Sequence, residues 1–359
     1  MVNPLAEDLE HILSHTEKIW EEFRNQHIFM TGGTGFFGCW LLESFAWANH
    51  RLGLNTSVLV LTRNIEGLRK KAPHLAADPA IHFHVGDVEN FEFPAGNFSY
   101  IVHASNEALN YVHEPNCRFM TSQMIAAAKH VLDFAGFCGA EKLLFTSSGT
   151  VYGPQPPGMI RMPEDYMGSR NIDDFRFAHG EGKYRAEVLC GEYAERYNLE
   201  GKIARCFSFL GPYMSMNEHY AIGNFIHDGI QGGPILVKGD GTPVRSYLYA
   251  SDLVIWLLTI LAQGKSGEPY NVGSEVEVDI RSVAMAVAKC FERAREVRVA
   301  LEPTAGRPAE RYVPSTEKSR RELGLRQTVG LSAGIRRTVL WHEQREEKRE
   351  NDLFKRRDI

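Results

Sequence analysis

Three glycines spaced three residues apart end a short apolar run and begin a second one: Ile28-Phe29-Met30-Thr31-Gly32-Gly33-Thr34-Gly35-Phe36-Phe37-Gly38. An apolar, helix-competent segment, Cys39–Ala48, follows. The stretch reads as strand, tight turn and helix. Gly32 permits the sharp turn, Gly35 lets the backbone approach a pyrophosphate, and Gly38 lets the helix lie close on its strand. The helix N-terminus then offers unsatisfied N–H groups and a partial positive charge to phosphates. A purely structural turn would not need three glycines at this spacing. Dinucleotide binding is therefore expected, with Gly32, Thr34, Gly35, Phe36, Phe37 and Gly38 as cofactor contacts.

Strands alternate with helices downstream. Ser57–Leu61, Ile81–Val85, Tyr100–Ser105, Lys142–Thr146 and Lys202–Phe207 read as strands; Thr121–Phe137 and Ala178–Tyr197 read as helices. This alternation implies an α/β fold of Rossmann type, a doubly wound parallel sheet. The second strand ends in Thr62-Arg63-Asn64, with no acid for a ribose 2′-OH; Arg63 is placed to pair with a 2′-phosphate or to stack on adenine. In Gly86-Asp87-Val88 the acid can reach the adenine amino group. His103, Ala104 and Ser105 end the fourth strand, and Thr146 ends the fifth, where the nicotinamide half would lie.

The dinucleotide-binding unit is expected over 1–205, with a return segment at about 235–263. A smaller mixed α/β substrate unit is expected from interleaved segments of 206–330, and a C-terminal helix and charged tail over 331–359. Residues 4–24 read as an amphipathic helix with Asn3 as N-cap and Pro4 at its first position, serving packing or a dimer surface. Pro154–Phe177, rich in Pro, Gly and charge, reads as a loop that can form a lid. A net charge of −5 leaves no footprint for nucleic acid. No apolar run reaches the ~18–20 residues of a membrane span, and the acidic start lacks the layout of a secretory signal. Six cysteines without C-x-x-C or metal spacing point to buried thiols in a reducing cytoplasm, and no metal site is expected.

Over roughly residues 27–325 the chain resembles the extended short-chain dehydrogenases, specifically the nucleotide-sugar epimerase/dehydratase family. The resemblance rests on Thr31–Gly38, Gly86-Asp87-Val88, His103-Ala104, Ser147–Gly153, the helix with Lys183, Arg205–Pro212, Asn224-Phe225, Gly239–Asp252 and Arg307-Pro308. It implies that Ser148 and Lys183 are catalytic, Lys183 also binding the nicotinamide ribose. The family's tyrosine, four residues before that lysine, is replaced by His179. Histidine titrates near 6.5 in isolation, and a lysine one helical turn away lowers that value, so a neutral imidazole can act as the acid/base.

The family's dehydratases place an Asp-Glu pair directly after the Ser/Thr, and its decarboxylases tend to keep the glutamate. Here the two positions are Gly149 and Thr150. The resemblance thus favours epimerisation or keto/hydroxyl redox at C4 of a nucleotide-activated sugar. The alternative is a silenced member that serves as a cofactor- or nucleotide-sugar-binding subunit, with 4,6-dehydration a lesser alternative. Arg245 and Arg307 match arginines that grip the sugar diphosphate, Asn224 matches a diphosphate contact, and Ser208 stands where the family often has Asn; Glu107 and Ser148 complete the substrate set. The likeness to cofactor-recycling enzymes favours NAD, with NADP as the alternative. A homodimer is expected.

Overall fold

The computed structural model describes residues 3–105, 117–168, 175–216, 220–306 and 308–357. In chain order come α1 (Ala6–Trp20), β1 (His27–Thr31), α2 (Phe36–Leu52), β2 (Ser57–Thr62), α3 (Ile65–Lys71), α4 (Pro73–Ala76), β3 (Ile81–Val85) and β4 (Tyr100–His103). Then follow α5 (Cys117–Cys138), β5 (Lys142–Ser148), α6 (Phe175–Tyr197), β6 (Glu200–Cys206), β7 (Phe209–Leu210), α7 (Ala221–Ile230), β8 (Ile235–Val237), β9 (Val244–Arg245) and β10 (Leu248–Tyr249). The chain continues with α8 (Ala250–Gln263), β11 (Pro269–Val272), β12 (Val278–Asp279), α9 (Ile280–Ala288), β13 (Val297–Val299), β14 (Arg311–Tyr312), α10 (Glu317–Leu323) and α11 (Leu331–Arg357).

One seven-stranded sheet, in the order β11-β6-β5-β4-β1-β2-β3, organises the molecule, and all its pairings are parallel. Successive strand side chains point to opposite faces, so each central strand feeds two cores. Ile28 and Met30 of β1, Tyr100 and Val102 of β4, and Leu144 of β5 join the core packed by α1, α2 and α8. Phe29, Ile101, Leu143 and Phe145 join the opposite core, packed by α5 and α6. Helices on both faces account for the near-continuous apolar runs of these strands. The strand order reverses between β1 and β4, which opens a crevice at the carboxyl edge, where open α/β sheets bind ligands. A third core, with Ile222, Phe225, Ile226, Val237, Val283 and Val287, belongs to the smaller unit.

Two expected boundaries shift. Pro269–Val272, read as part of the smaller unit, pairs with β6 as the last strand of the large sheet. Its Pro and Asn look strand-poor, but an edge strand tolerates Pro at its first position. Ile235–Val237, read as the start of the return segment, pairs instead with Val297–Val299 in the smaller unit. A three-residue apolar strand does not reveal which sheet it joins. The return itself is α8, whose apolar residues are buried almost throughout.

The N-terminal helix packs on α8 and α2, burying Leu9, Ile12, Ile19 and Trp20. It starts later than its sequence suggests: Asn3 accepts the Leu5 N–H through its side chain at 2.8 Å, and Pro4 lies in the preceding turn. The described part of the expected lid is anchored rather than loose. Buried Met162 donates to the Val313 carbonyl and accepts from the Ser315 N–H, at 2.9 and 2.8 Å.

Candidate functional site

The glycine turn packs closer to its backbone neighbours than any other residue type would allow. Gly32 has φ +71°, and a Cβ there would lie 2.4 Å from the Ala104 carbonyl oxygen. A Cβ at Gly38 would lie 2.3 Å from the Gly33 Cα, so this glycine seats α2 on the turn itself. Gly35 is exposed and caps α2 in extended conformation. The first-turn N–H groups of α2, at Phe36 and Phe37, lack intrahelical partners and face the position a pyrophosphate takes. Both rings pack elsewhere: Phe37 sits edge-on to Phe209 at 5.1 Å, and Phe36 lies against two cores. These two residues therefore offer backbone, not side chain, to a cofactor. Lys71, which sequence reasoning missed, donates to the Thr34 carbonyl at 2.8 Å and brings a cation to the turn. The cradle fits a dinucleotide.

At the next strand ends, Arg63 just after β2 lies 3.7 Å from the Asp87 carboxylate after β3. The same carboxylate accepts the Glu89 N–H at 3.1 Å, while Val88 is partly buried against the second core. Across the switch, His103 is buried; its Nδ1 lies 2.7 Å from the Thr31 hydroxyl, which is also 3.2 Å from the Ser105 hydroxyl. Its side chain thus braces β1 against β4. Lys183 of α6 is buried over the Phe145 ring and donates to the Thr146 and Ser105 carbonyls at 3.2 and 3.4 Å. Thr146 in turn donates to the His103 carbonyl at 3.2 Å. One ammonium therefore ties the carboxyl ends of β4 and β5 together.

The structure brings Ser148 and His179 into one hydrogen-bonded chain through a residue that sequence reading treated only as a missing carboxylate. The Thr150 hydroxyl lies 2.9 Å from Ser148 Oγ and 2.9 Å from His179 Nδ1. Ser148 ends β5, and its hydroxyl accepts the Thr150 N–H at 3.2 Å, capping the short 3₁₀ turn Gly149–Tyr152. The Tyr312 phenol stands near Ser148, and burial pushes it well above its ordinary range. A Cβ at Gly149 would lie 2.6 Å from the Tyr312 hydroxyl and 2.7 Å from the Phe207 ring, so a dehydratase-type Asp does not fit there. No sequence signal marks Tyr312, which arrives from the far side of the smaller unit.

Beneath this chain, the Arg205 guanidinium forms a buried ion pair with Glu187 at 2.7 Å and donates to the Tyr152 hydroxyl at 2.9 Å. Glu187 also accepts from Ser147. Burial opposes the Arg205 charge, but Glu187 outweighs it and holds the guanidinium firmly protonated. The nearby Cys206 thiol is pushed up to about 12 by burial and supplies no thiolate.

On the substrate side, Arg245 stands on β9 and pairs with Glu310 at 2.6 Å, also donating to the Val244 carbonyl at 3.0 Å. Asn224 is half-buried on α7, and Ser208 joins β6 to β7, its carbonyl accepting the Leu248 N–H at 3.0 Å. Glu107 and Arg307 lie outside the described residues.

A parallel sheet with a glycine cradle at its switch point, and a Ser–Thr–His chain two strands away, defines a dinucleotide-binding enzyme class with chemistry at the same carboxyl edge. Residues 28–273 match the profile described as the NAD dependent epimerase/dehydratase family. The chain belongs to this family. It is 27% identical over 359 residues to UDP-glucuronic acid decarboxylase 1 of Danio rerio, covering 98% of this chain and 82% of the relative. Its fold is similar to that of a dTDP-glucose 4,6-dehydratase from Streptomyces venezuelae solved with NAD and TYD bound (TM-score 0.72, 24% identity, covering 89% and 97% of the two chains). It is also similar to a UDP-glucose 4-epimerase from Thermotoga maritima solved with UDP-glucose (TM-score 0.71, 19% identity, 89% and 99%). Among the described residues, no helix is long and apolar enough to cross a membrane.

Proposed function

We propose that this chain oxidises and re-reduces a nucleotide-activated sugar at C4, with His179 as the acid/base and epimerisation as the net result. The hydrogen-bonded chain Ser148–Thr150–His179, on the same sheet edge as the Gly32–Gly38 cradle, carries this reading. NAD, when bound, supplies a hydride acceptor that can return the hydride. His179 takes the proton of the C4 hydroxyl as the C4–H bond gives up its electron pair, and it returns that proton when the ketone is reduced. Ser148 donates to the same sugar oxygen. Arg245 and Arg307 hold the diphosphate. Arg63 already has a carboxylate neighbour in Asp87, which supports NAD over NADP as the resident cofactor.

The likeness to a UDP-glucuronic acid decarboxylase favours a second reading. There the C4 ketone would drain electrons from the C5–carboxyl bond, CO2 would leave, a proton would add at C5, and reduction would follow. Gly149 and Thr150, which carry no carboxylate, tell against 4,6-dehydration. The free thiols at the described cysteines suit a reducing, cytoplasmic setting. The exposed aromatic surface of α5 and α6 suits a homodimer.

The test is incubation with NAD and, separately, UDP-glucose, UDP-galactose and UDP-glucuronic acid, with product chromatography and cofactor absorbance near 340 nm. Interconversion of the first two supports epimerisation, and CO2 release from the third supports the decarboxylase reading. The expected kcat/KM rises with pH as the His179 imidazole loses its proton. His179→Phe should lose at least about a hundredfold in rate. Full activity in the Phe variant would remove His179 from the chemistry. Activity in His179→Tyr alone would identify the chain as a silenced member of the family.

A further inference from the structure

We propose that Thr150 is a positioning residue that fixes the His179 imidazole as its Nδ1–H tautomer, leaving Nε2 as the nitrogen that exchanges a proton with the sugar. This deepens the proposed role of His179 and rests on it. Thr150 Oγ1 lies 2.9 Å from both His179 Nδ1 and Ser148 Oγ, and it has one proton to give. If the imidazole donates from Nδ1, Thr150 donates to Ser148, and the Ser148 proton is left for the sugar oxygen. Thr150 then accepts one bond and donates one, and Ser148 accepts from both the Thr150 hydroxyl and the Thr150 N–H.

The opposite tautomer also forms a closed chain while neutral, but it cannot take up a proton in place. On charging, both ring nitrogens carry protons, and Nδ1–H would meet the Thr150 hydroxyl proton. Thr150 and Ser148 would both have to turn. With Nδ1–H in place beforehand, His179 charges at Nε2 and no hydroxyl moves. A preset donor direction of this kind carries no reorganisation cost at the moment of reaction.

Two glycines make the arrangement possible. A Cβ at Gly180, next to His179, would lie 2.1 Å from the Thr150 carbonyl oxygen, so only glycine lets α6 press the imidazole against the 3₁₀ turn. A Cβ at Gly149 would strike the Tyr312 hydroxyl at 2.6 Å. A backbone approach at Gly180 and a side-chain approach at Gly149 thus hold Thr150 in place.

The experiment is 15N nuclear magnetic resonance on the full chain labelled at histidine, at pH 8, with the His179 signals identified by their loss in His179→Gln. The expected spectrum shows a protonated Nδ1 and a bare Nε2. Thr150→Val, close in shape but without the hydroxyl, should move His179 to a mixture of tautomers, and Thr150→Ser should restore the native pattern. In turnover, Thr150→Val should lower kcat by about tenfold or more with KM nearly unchanged, because it leaves the substrate-binding groups in place. A native His179 protonated on Nε2, or a Thr150→Val spectrum identical to the native one, overturns the assignment. The expected tautomer pattern without turnover of any nucleotide sugar would uphold the positioning role and overturn the catalytic reading of His179, so the two fail separately.

Discussion

Gly32 shows how one residue can commit a whole site. Its φ of +71° lies in the left-handed region, and a Cβ there would fall 2.4 Å from the Ala104 carbonyl oxygen. Gly32→Ala should destabilise the protein by about 1–3 kcal/mol from backbone strain alone, read by urea denaturation, and should abolish dinucleotide binding by titration. A variant with native stability and affinity would show that the turn can re-form without glycine. Arg245 is a different case, because its charge is already engaged. It holds Glu310 at 2.6 Å across a partly exposed surface, so a diphosphate has only a weak competitor to displace. Arg245→Ala should weaken nucleotide-sugar binding by about 1.5–3 kcal/mol, the range of a charge-assisted hydrogen bond. Dinucleotide affinity, measured by the same calorimetry, should stay constant. Intact affinity for UDP-, dTDP-, GDP- and CDP-sugars alike would remove Arg245 from the substrate site.

Helix α2 links the cofactor turn to the loop that follows β7. Buried Glu43 on this helix accepts from the Tyr213 hydroxyl, from His74 at 2.7 Å and from Asn3 at 3.3 Å. Trp40, one turn earlier, donates to the Pro212 carbonyl at 2.8 Å. Tyr213 has φ +70°, a strained backbone for a bulky residue, and these two contacts hold it there. The hydrogen bond from Glu43 raises the His74 pKa against the smaller opposing effect of partial burial. A histidine raised in the folded state adds stability that is full below the unfolded value of about 6.5 and fades as pH climbs through the folded value. His74→Gln should therefore lower the melting temperature at pH 5.5 and have little effect at pH 9. An equal loss at both pH values would mean that packing, not charge, is what His74 contributes.

Across the whole molecule, the two faces of the sheet are treated differently. The face covered by α1, α2 and α8 is sealed, and α8 has scarcely an exposed residue. The opposite face ends in α5 and α6, which expose Phe119 at 43%, Phe137 at 66%, Val188 at 43% and Tyr197 at 41%. Aromatic and aliphatic surface on two adjacent helices is the kind that a second copy covers. Phe137→Glu should shift the sedimentation coefficient from that of a dimer to that of a monomer while the monomer stays folded. A native chain that sediments as a monomer at micromolar concentration would end the homodimer reading.

The fold was legible in the sequence wherever short-range physics decides it. Glycine spacing reports a turn that only glycine can make, and the uninterrupted apolar strands report burial on both faces. Those two patterns defined the Rossmann sheet and the cofactor turn, while Ser148 and Lys183 came from the resemblance to the family. Pro269–Val272 escaped because an edge strand takes its stability from the neighbouring β6 rather than from its own residues. The site's inner wiring escaped for a related reason. Thr150 and His179 stand 29 residues apart and meet only because Gly180 admits the backbone of the 3₁₀ turn. Tyr312 reaches Ser148 only because β14 lies beside β9. Hydrogen-bond partners of that kind are set by where elements dock, and docking depends on surfaces that no local pattern of residues encodes.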